Sequence, residues 1–195
     1  MEIPLLDPPA EMTSAHNRWG QALARIDELE MRVVRQVAGM TQIRLIRVVA
    51  IAVTLLGNGW IYVPIVIGVL LFSESNAWAR IGAAGIATAV AHVAYAVLKR
   101  CVARPRPFER DPTMQPFARV LDHYSFPSGH CMTLTAVLIP VVWGEPNFWP
   151  GAITALFVLG WCRIAATHHY PSDILAGIGL GAGVAVPLAA WLVPI

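Results

Sequence analysis

Apolar and polar positions alternate along this chain in blocks rather than singly. After an irregular, proline-bearing start at 1–14, residues 15–38 place Trp19, Leu23, Ile26, Leu29, Val33 and Val37 at helical spacing, with Arg25, Asp27, Glu28, Glu30 and Arg32 between them. That pattern predicts an amphipathic helix, suited to a membrane surface or to a partner helix. Six apolar blocks follow, at 43–56, 60–73, 77–98, 129–143, 148–166 and 174–194. A membrane crossing needs about 20 apolar residues. The third, fifth and sixth blocks meet that length, the fourth is slightly short, and the first two are shorter. The first two stand for two tilted spans, one broken span, or one surface helix and one span. The pattern predicts an all-α, polytopic transmembrane bundle of five or six helices (41–195) behind an N-terminal tail and amphipathic helix (1–40).

Composition agrees. The chain is 56% hydrophobic and 13% charged, against roughly 25% charged residues in a typical soluble domain. The net charge of +2 is too small to argue for a nucleic-acid partner. Three widely spaced cysteines, Cys101, Cys131 and Cys162, form no disulfide framework and no zinc pair. The start lacks the basic region and apolar run of a cleavable signal. Gly177, Gly179, Gly181 and Gly183 in the last block read as close helix packing.

Two polar interruptions carry candidate chemistry. Residues 99–128 hold Lys99, Arg100, Arg104, Arg106 and Arg110, five prolines and the run Pro127-Ser128-Gly129-His130. Residues 163–173 hold Arg163, His168, His169 and Asp173. Counting the crossings between them puts both on one membrane face. Lys99, Arg106 and Arg163, with no matching number of acids nearby, imply a bound anion, and arginine forks suit phosphate oxygens. Ser128 and Gly129 open an apolar helix, whose free N–H groups make an anion site and whose glycine admits close approach. His169 stands four residues before Asp173, so a carboxylate in the first turn of the last helix can orient a ring that attacks.

These residues resemble the type 2 phosphatidic acid phosphatase (PAP2) superfamily, which includes bacterial acid phosphatases and vanadium haloperoxidases. Its three motifs are matched by Lys99 with Arg106-Pro107, by Pro127-Ser128-Gly129-His130, and by Arg163, His169 and Asp173. The likeness spans 99–173, and the helix pattern extends it to about 43–194. One position departs: the third motif usually begins with Ser, and here stands Cys162, a weaker hydrogen-bond partner. The resemblance implies that His169 attacks phosphorus to form a phosphohistidine and that Asp173 orients it. It implies that His130 protonates the leaving group and then activates water, while Lys99, Arg106, Ser128, Gly129 and Arg163 hold the phosphoryl oxygens. No metal and no cofactor are expected.

The implied substrate is a lipid phosphate such as phosphatidic acid, phosphatidylglycerophosphate or a polyprenyl diphosphate. The implied location is the bilayer, as in small multi-pass proteins of the bacterial inner membrane. A haloperoxidase and a non-catalytic lipid-binding relative are the alternatives. The first is disfavoured by the apolar blocks and the second by the full set of site residues. His168 lies outside the motifs and reads as a rim residue. His16, His92 and His123 match no motif, and His92 reads as a hydrogen-bonding partner of a neighbouring helix.

Overall fold

The computed structural model describes residues 10–73, 76–120 and 122–194, with side chains from Ala24 onward. Every regular element among them is helical: α1 (Ala10–Met40), α2 (Arg44–Leu55), α3 (Tyr62–Phe72), α4 (Ala77–Val102), a single turn α5 (Pro107–Arg110), α6 (Gly129–Val142), α7 (Trp149–Ala165) and α8 (Pro171–Leu192). A π-type turn, Leu56–Trp60, joins α2 to α3.

The apolar blocks become helices almost residue for residue. α7 and α8 each carry a proline in their first turn, Pro150 and Pro171, which is tolerated where the first N–H groups lack helical partners anyway. α2 and α3 are separated because Asn58 and Gly59 leave helical geometry, Gly59 at φ 126°. That left-handed value is open to glycine and strained for other residues.

α1 begins at Ala10, earlier than the expected 15, immediately after Pro8-Pro9. The part of the expected tail at 1–9 lies outside the described residues, as do the side chains of His16, Trp19 and Leu23. Further along, α1 turns Glu30, Met31 and Val34 toward the protein and leaves Ile26, Leu29 and Val33 exposed. The apolar stripe seen in the sequence therefore faces outward. Inside, Met31 and Val34 pack with Tyr170, Met114 and Ile164.

α3, α4, α6, α7 and α8 run back and forth between two ends. At the far end Arg80 donates to the Val141 carbonyl and pairs with Glu145, and Asn76 donates to the Pro194 carbonyl. At the near end the Ser128 amide donates to the Asp173 carbonyl, joining the starts of α6 and α8. By length and composition, three helical stretches can cross a membrane: Ala77–Arg110, Pro146–Ala165 and Pro171–Leu192. α3 and α6, at 11 and 14 residues, are shorter apolar rods. The α1–α2 pair bends by 111° at its break. Trp60, Phe72, Trp78, Val93, Phe157, Leu175 and Trp191 all face outward. Such a wide apolar exterior belongs in lipid rather than water.

Small residues set the tightest contact. A Cβ on Gly177 would stand 2.5 Å from the Ser128 carbonyl oxygen, and one on Gly181 2.5 Å from that of Met132. α6 and α8 thus meet backbone to backbone, as small residues allow between membrane helices. Gly179 and Gly183 face open space, so only alternate glycines of the series make this contact.

Candidate active site

The near end of the bundle gathers the charged residues of both polar interruptions. Lys99 comes from the last turn of α4, Arg106 from the residue before α5, and Arg163 from the last turn of α7. Ser128 precedes α6, His130 lies in its first turn, and Asp173 lies in the first turn of α8. All but His130 are buried. Burying three cations together is costly unless anions compensate them.

One anion is supplied by the chain itself. The Asp122 carboxylate oxygen Oδ1 lies 2.6 Å from Lys99 Nζ and 2.5 Å from Arg106 Nη2, and Oδ2 accepts the Tyr95 hydroxyl. Burial works against the charge on Asp122. Hydrogen bonds from Lys99 and Tyr95, with the Lys99 and Arg106 charges, outweigh it and hold the carboxyl down at about 2. The expectation of cations without matching acids is therefore corrected: the loop between α5 and α6 brings one acid against two of them. Arg163 has no carboxylate within ion-pair distance among the described residues, and its Nε and the Ser128 hydroxyl are buried without partners.

The geometry around His169 differs in detail from a direct histidine–carboxylate hydrogen bond. His169 Nδ1 donates to the Ser125 carbonyl at 2.7 Å, while Asp173 Oδ2 stands 3.7 Å from the same nitrogen. Asp173 instead accepts the Tyr170 amide and Arg104 Nη1, each at 2.8 Å. With the proton fixed on Nδ1, Nε2 keeps its lone pair. Burial first, and then the charges of Arg163, Arg106 and Lys99, depress the His169 pKa well below its ordinary value, so the ring is neutral at neutral pH.

Behind Asp173 lies a network the sequence did not disclose. Arg104 bonds Asp173, Ser172 Oγ, Glu30 and Asp27, with its guanidinium 3.9 Å from the centre of the Tyr170 ring. Glu30 Oε1 also accepts the Ser172 amide at 2.7 Å. Arg104 was visible as one of a basic cluster. Nothing local marked it from its neighbours, because its partners lie about 70 residues away on both sides.

On the other flank, His130 Nε2 lies 2.8 Å from the Asn58 side-chain oxygen. The partner is an acceptor, so that nitrogen carries the proton. Both residues line a cleft of about 450 Å³ with Tyr62, His92, Tyr95 and Asp122. Tyr62 and Thr88 also line an adjoining apolar groove of about 260 Å³ between α3 and α4. A more open depression of about 590 Å³ lies beside α1 and Arg110, away from His169.

Two local readings change. His168 is fully buried rather than at a rim: its Nε2 donates to the Ala118 carbonyl, and burial with the Arg163 and Arg106 charges lowers its pKa to about 3. His92 bonds the Thr88 carbonyl of its own helix, not a neighbour. A Cβ on Gly129 would stand 2.7 Å from the Tyr95 ring, so this glycine also lets α4 and α6 approach closely.

The PAP2 superfamily model matches residues 80–194, more than half of the chain. The chain belongs to the PAP2 superfamily. Among characterised relatives, a lipid A 1-phosphatase of Rhizobium johnstonii is 37% identical over 90 residues, covering 44% of this chain but only 37% of the relative. A decaprenylphosphoryl-5-phosphoribose phosphatase of Mycobacterium tuberculosis is 29% identical over 126 residues, covering 65% of this chain and 67% of the relative.

Two solved folds are similar. A transmembrane PAP2-type phosphatidylglycerolphosphate phosphatase of Bacillus subtilis has TM-score 0.65 and 18% identity, with 86% of each chain covered. LpxE of Aquifex aeolicus has TM-score 0.64 and 22% identity, covering 84% of this chain and 96% of that one. The PAP2 member described here therefore has the all-α transmembrane fold expected from its sequence, and it ends its three motifs at one site.

Proposed function

We propose that this PAP2 protein is a membrane lipid phosphatase that releases phosphate from a lipid phosphomonoester or diphosphate through a phosphohistidine. The observation that carries the reading is the neutral His169, its Nε2 unprotonated, held among Lys99, Arg106 and Arg163 beside the unpartnered Ser128 hydroxyl. In the first step Nε2 forms a bond to phosphorus as the bond from phosphorus to the lipid oxygen breaks. His130 gives a proton to that leaving oxygen. In the second step water attacks phosphorus, His130 takes the water's proton, and the phosphorus–nitrogen bond breaks to restore His169. Phosphoryl transfer asks for positioning and charge stabilisation above all. Lys99, Arg106 and Arg163 supply the charge that magnesium supplies elsewhere, so turnover should survive EDTA.

Three of the similar proteins carry names that make them phosphatases of a lipid phosphate, which supports this class of substrate. The cleft beside His130 adjoins the apolar groove between α3 and α4, which suits a phosphate at the cations and a tail in the groove. The test is phosphate release by detergent-purified protein from phosphatidic acid, phosphatidylglycerophosphate, a polyprenyl diphosphate and p-nitrophenyl phosphate. Release that persists in EDTA, stops with vanadate and is lost in His169→Ala supports the mechanism, and the preferred lipid names the substrate. Normal release by purified His169→Ala overturns it.

A further inference from the structure

Asp122 is not part of the three motifs, yet it bridges two of the three cations assigned to the phosphate. It reaches Lys99 and Arg106 through one carboxylate oxygen and Tyr95 through the other. The exposure of the partners is unequal: the side chain of Asp122 is 32% exposed, those of Lys99 and Arg106 7% and 1%. The carboxylate thus covers the cations from the cleft side, where it shares the wall with His130. A phosphoryl group that binds from the cleft to Lys99 Nζ and Arg106 Nη2 takes the positions the Asp122 oxygens now hold, because those N–H groups point at the carboxylate, while Arg106 Nε is left without a partner. Arg163 and Ser128, which would hold the other phosphoryl oxygens, are not engaged by Asp122.

We infer that Asp122 is a resident anion of the phosphate seat, displaced by the substrate's phosphoryl group and returning to Lys99 and Arg106 as product phosphate leaves. This rests on the phosphatase reading for the identity of the ligand. Binding is an exchange in which one carboxylate leaves the cations and one phosphoryl group arrives. A competitor built into the chain weakens every ligand of that seat by one common factor. It thereby favours release of inorganic phosphate at the end of the second step. A purely structural Asp122, one that merely holds the cations in place, has the opposite effect: its removal would let them part and weaken phosphate binding.

The experiment compares the full chain with Asp122→Asn, and with Asp122→Ser should the first variant fail to fold. KM and the inhibition constants for inorganic phosphate and vanadate are measured. Displacement predicts that all three fall together, by about tenfold, the scale of a partly exposed ion-pair network. Asp122→Glu, which keeps the charge, should return them toward the parent values. Constants that rise, stay fixed, or scatter in direction overturn the inference. Direct titration of inorganic phosphate by calorimetry, in a His169→Ala background with and without Asp122→Asn, separates the two readings. Tighter phosphate binding on losing Asp122 upholds the resident anion even if no lipid is turned over, whereas equal or weaker binding sinks it even if turnover is found.

Discussion

The Ser125 carbonyl, not the Asp173 carboxylate, accepts the His169 Nδ1 proton: the first lies at 2.7 Å and the second at 3.7 Å. A backbone acceptor cannot be removed by substituting a side chain. In hydrolytic triads, where a carboxylate alone sets the histidine tautomer, changing it to the amide costs about 10⁴-fold in kcat. Asp173→Asn should therefore cost clearly less, about 10²-fold, while His169→Ala and His130→Ala nearly abolish turnover. Steady-state kinetics of the folded variants decides it; an Asp173→Asn loss as deep as that of His169→Ala would refute the backbone role.

Arg104 ties the first helix to Asp173, with Glu30 on one side of its guanidinium and Asp173 on the other. Removing one member of such a buried pair typically costs about 3–5 kcal/mol. Arg104→Ala should lower the unfolding temperature in detergent and reduce kcat by about tenfold with KM less affected. Glu30→Gln, which keeps an oxygen for the Ser172 amide, should do less on both counts. An unchanged kcat in folded Arg104→Ala would show that the clamp does not position Asp173.

The pH response follows from two histidines outside the spanning helices. His168 is lowered to about 3 and His169 well below its ordinary value, in both cases chiefly by burial. Below about pH 6.5 the unfolded chain binds protons at these rings that the folded chain does not. Stability is then complete above pH 6.5 and falls as the solution is acidified, by at most about 1.4 kcal/mol per pH unit for each ring. Thermal unfolding between pH 7.5 and 5 should show that slope, reduced in His168→Asn.

The glycines of α8 offer a controlled pair. Gly177→Ala and Gly181→Ala drive a methyl into the Ser128 and Met132 carbonyls, whereas Gly179→Ala and Gly183→Ala meet nothing within 4 Å. The first two should destabilise the fold by about 1–3 kcal/mol through overpacking, and Gly177→Ala should also raise KM by moving Ser128. The second two should be neutral in both assays.

The helices and motif residues were legible because each is a local signal. Apolar blocks at 77–98, 148–166 and 174–194 became α4, α7 and α8, since lipid demands long unbroken apolar runs. Asp122, Asn58 and Glu30 were not legible. Each acts through a partner 16 to 142 residues away, and an isolated Asp or Asn in a loop has many unremarkable uses. The outward stripe of α1 was visible as amphipathicity. Which face met the protein was not, because a single buried Glu30 bound to Arg104 outweighs the apolar pattern at that position.

The contact of Gly177 with the Ser128 carbonyl has a bearing on how the seat withstands its surroundings. A joint made by side chains can be loosened by a rotamer change, or prised open as the lipid around it thins and swells. Here the start of α6 rests directly on the main chain of α8, whose dimensions are fixed by covalent geometry. The spacing between Ser128 and the His169–Asp173 end of the site is thus set by contact between two main chains and by the Ser128 amide's hydrogen bond to the Asp173 carbonyl. It should hold constant across bilayers of different thickness and fluidity, while the outward-facing side chains absorb the variation.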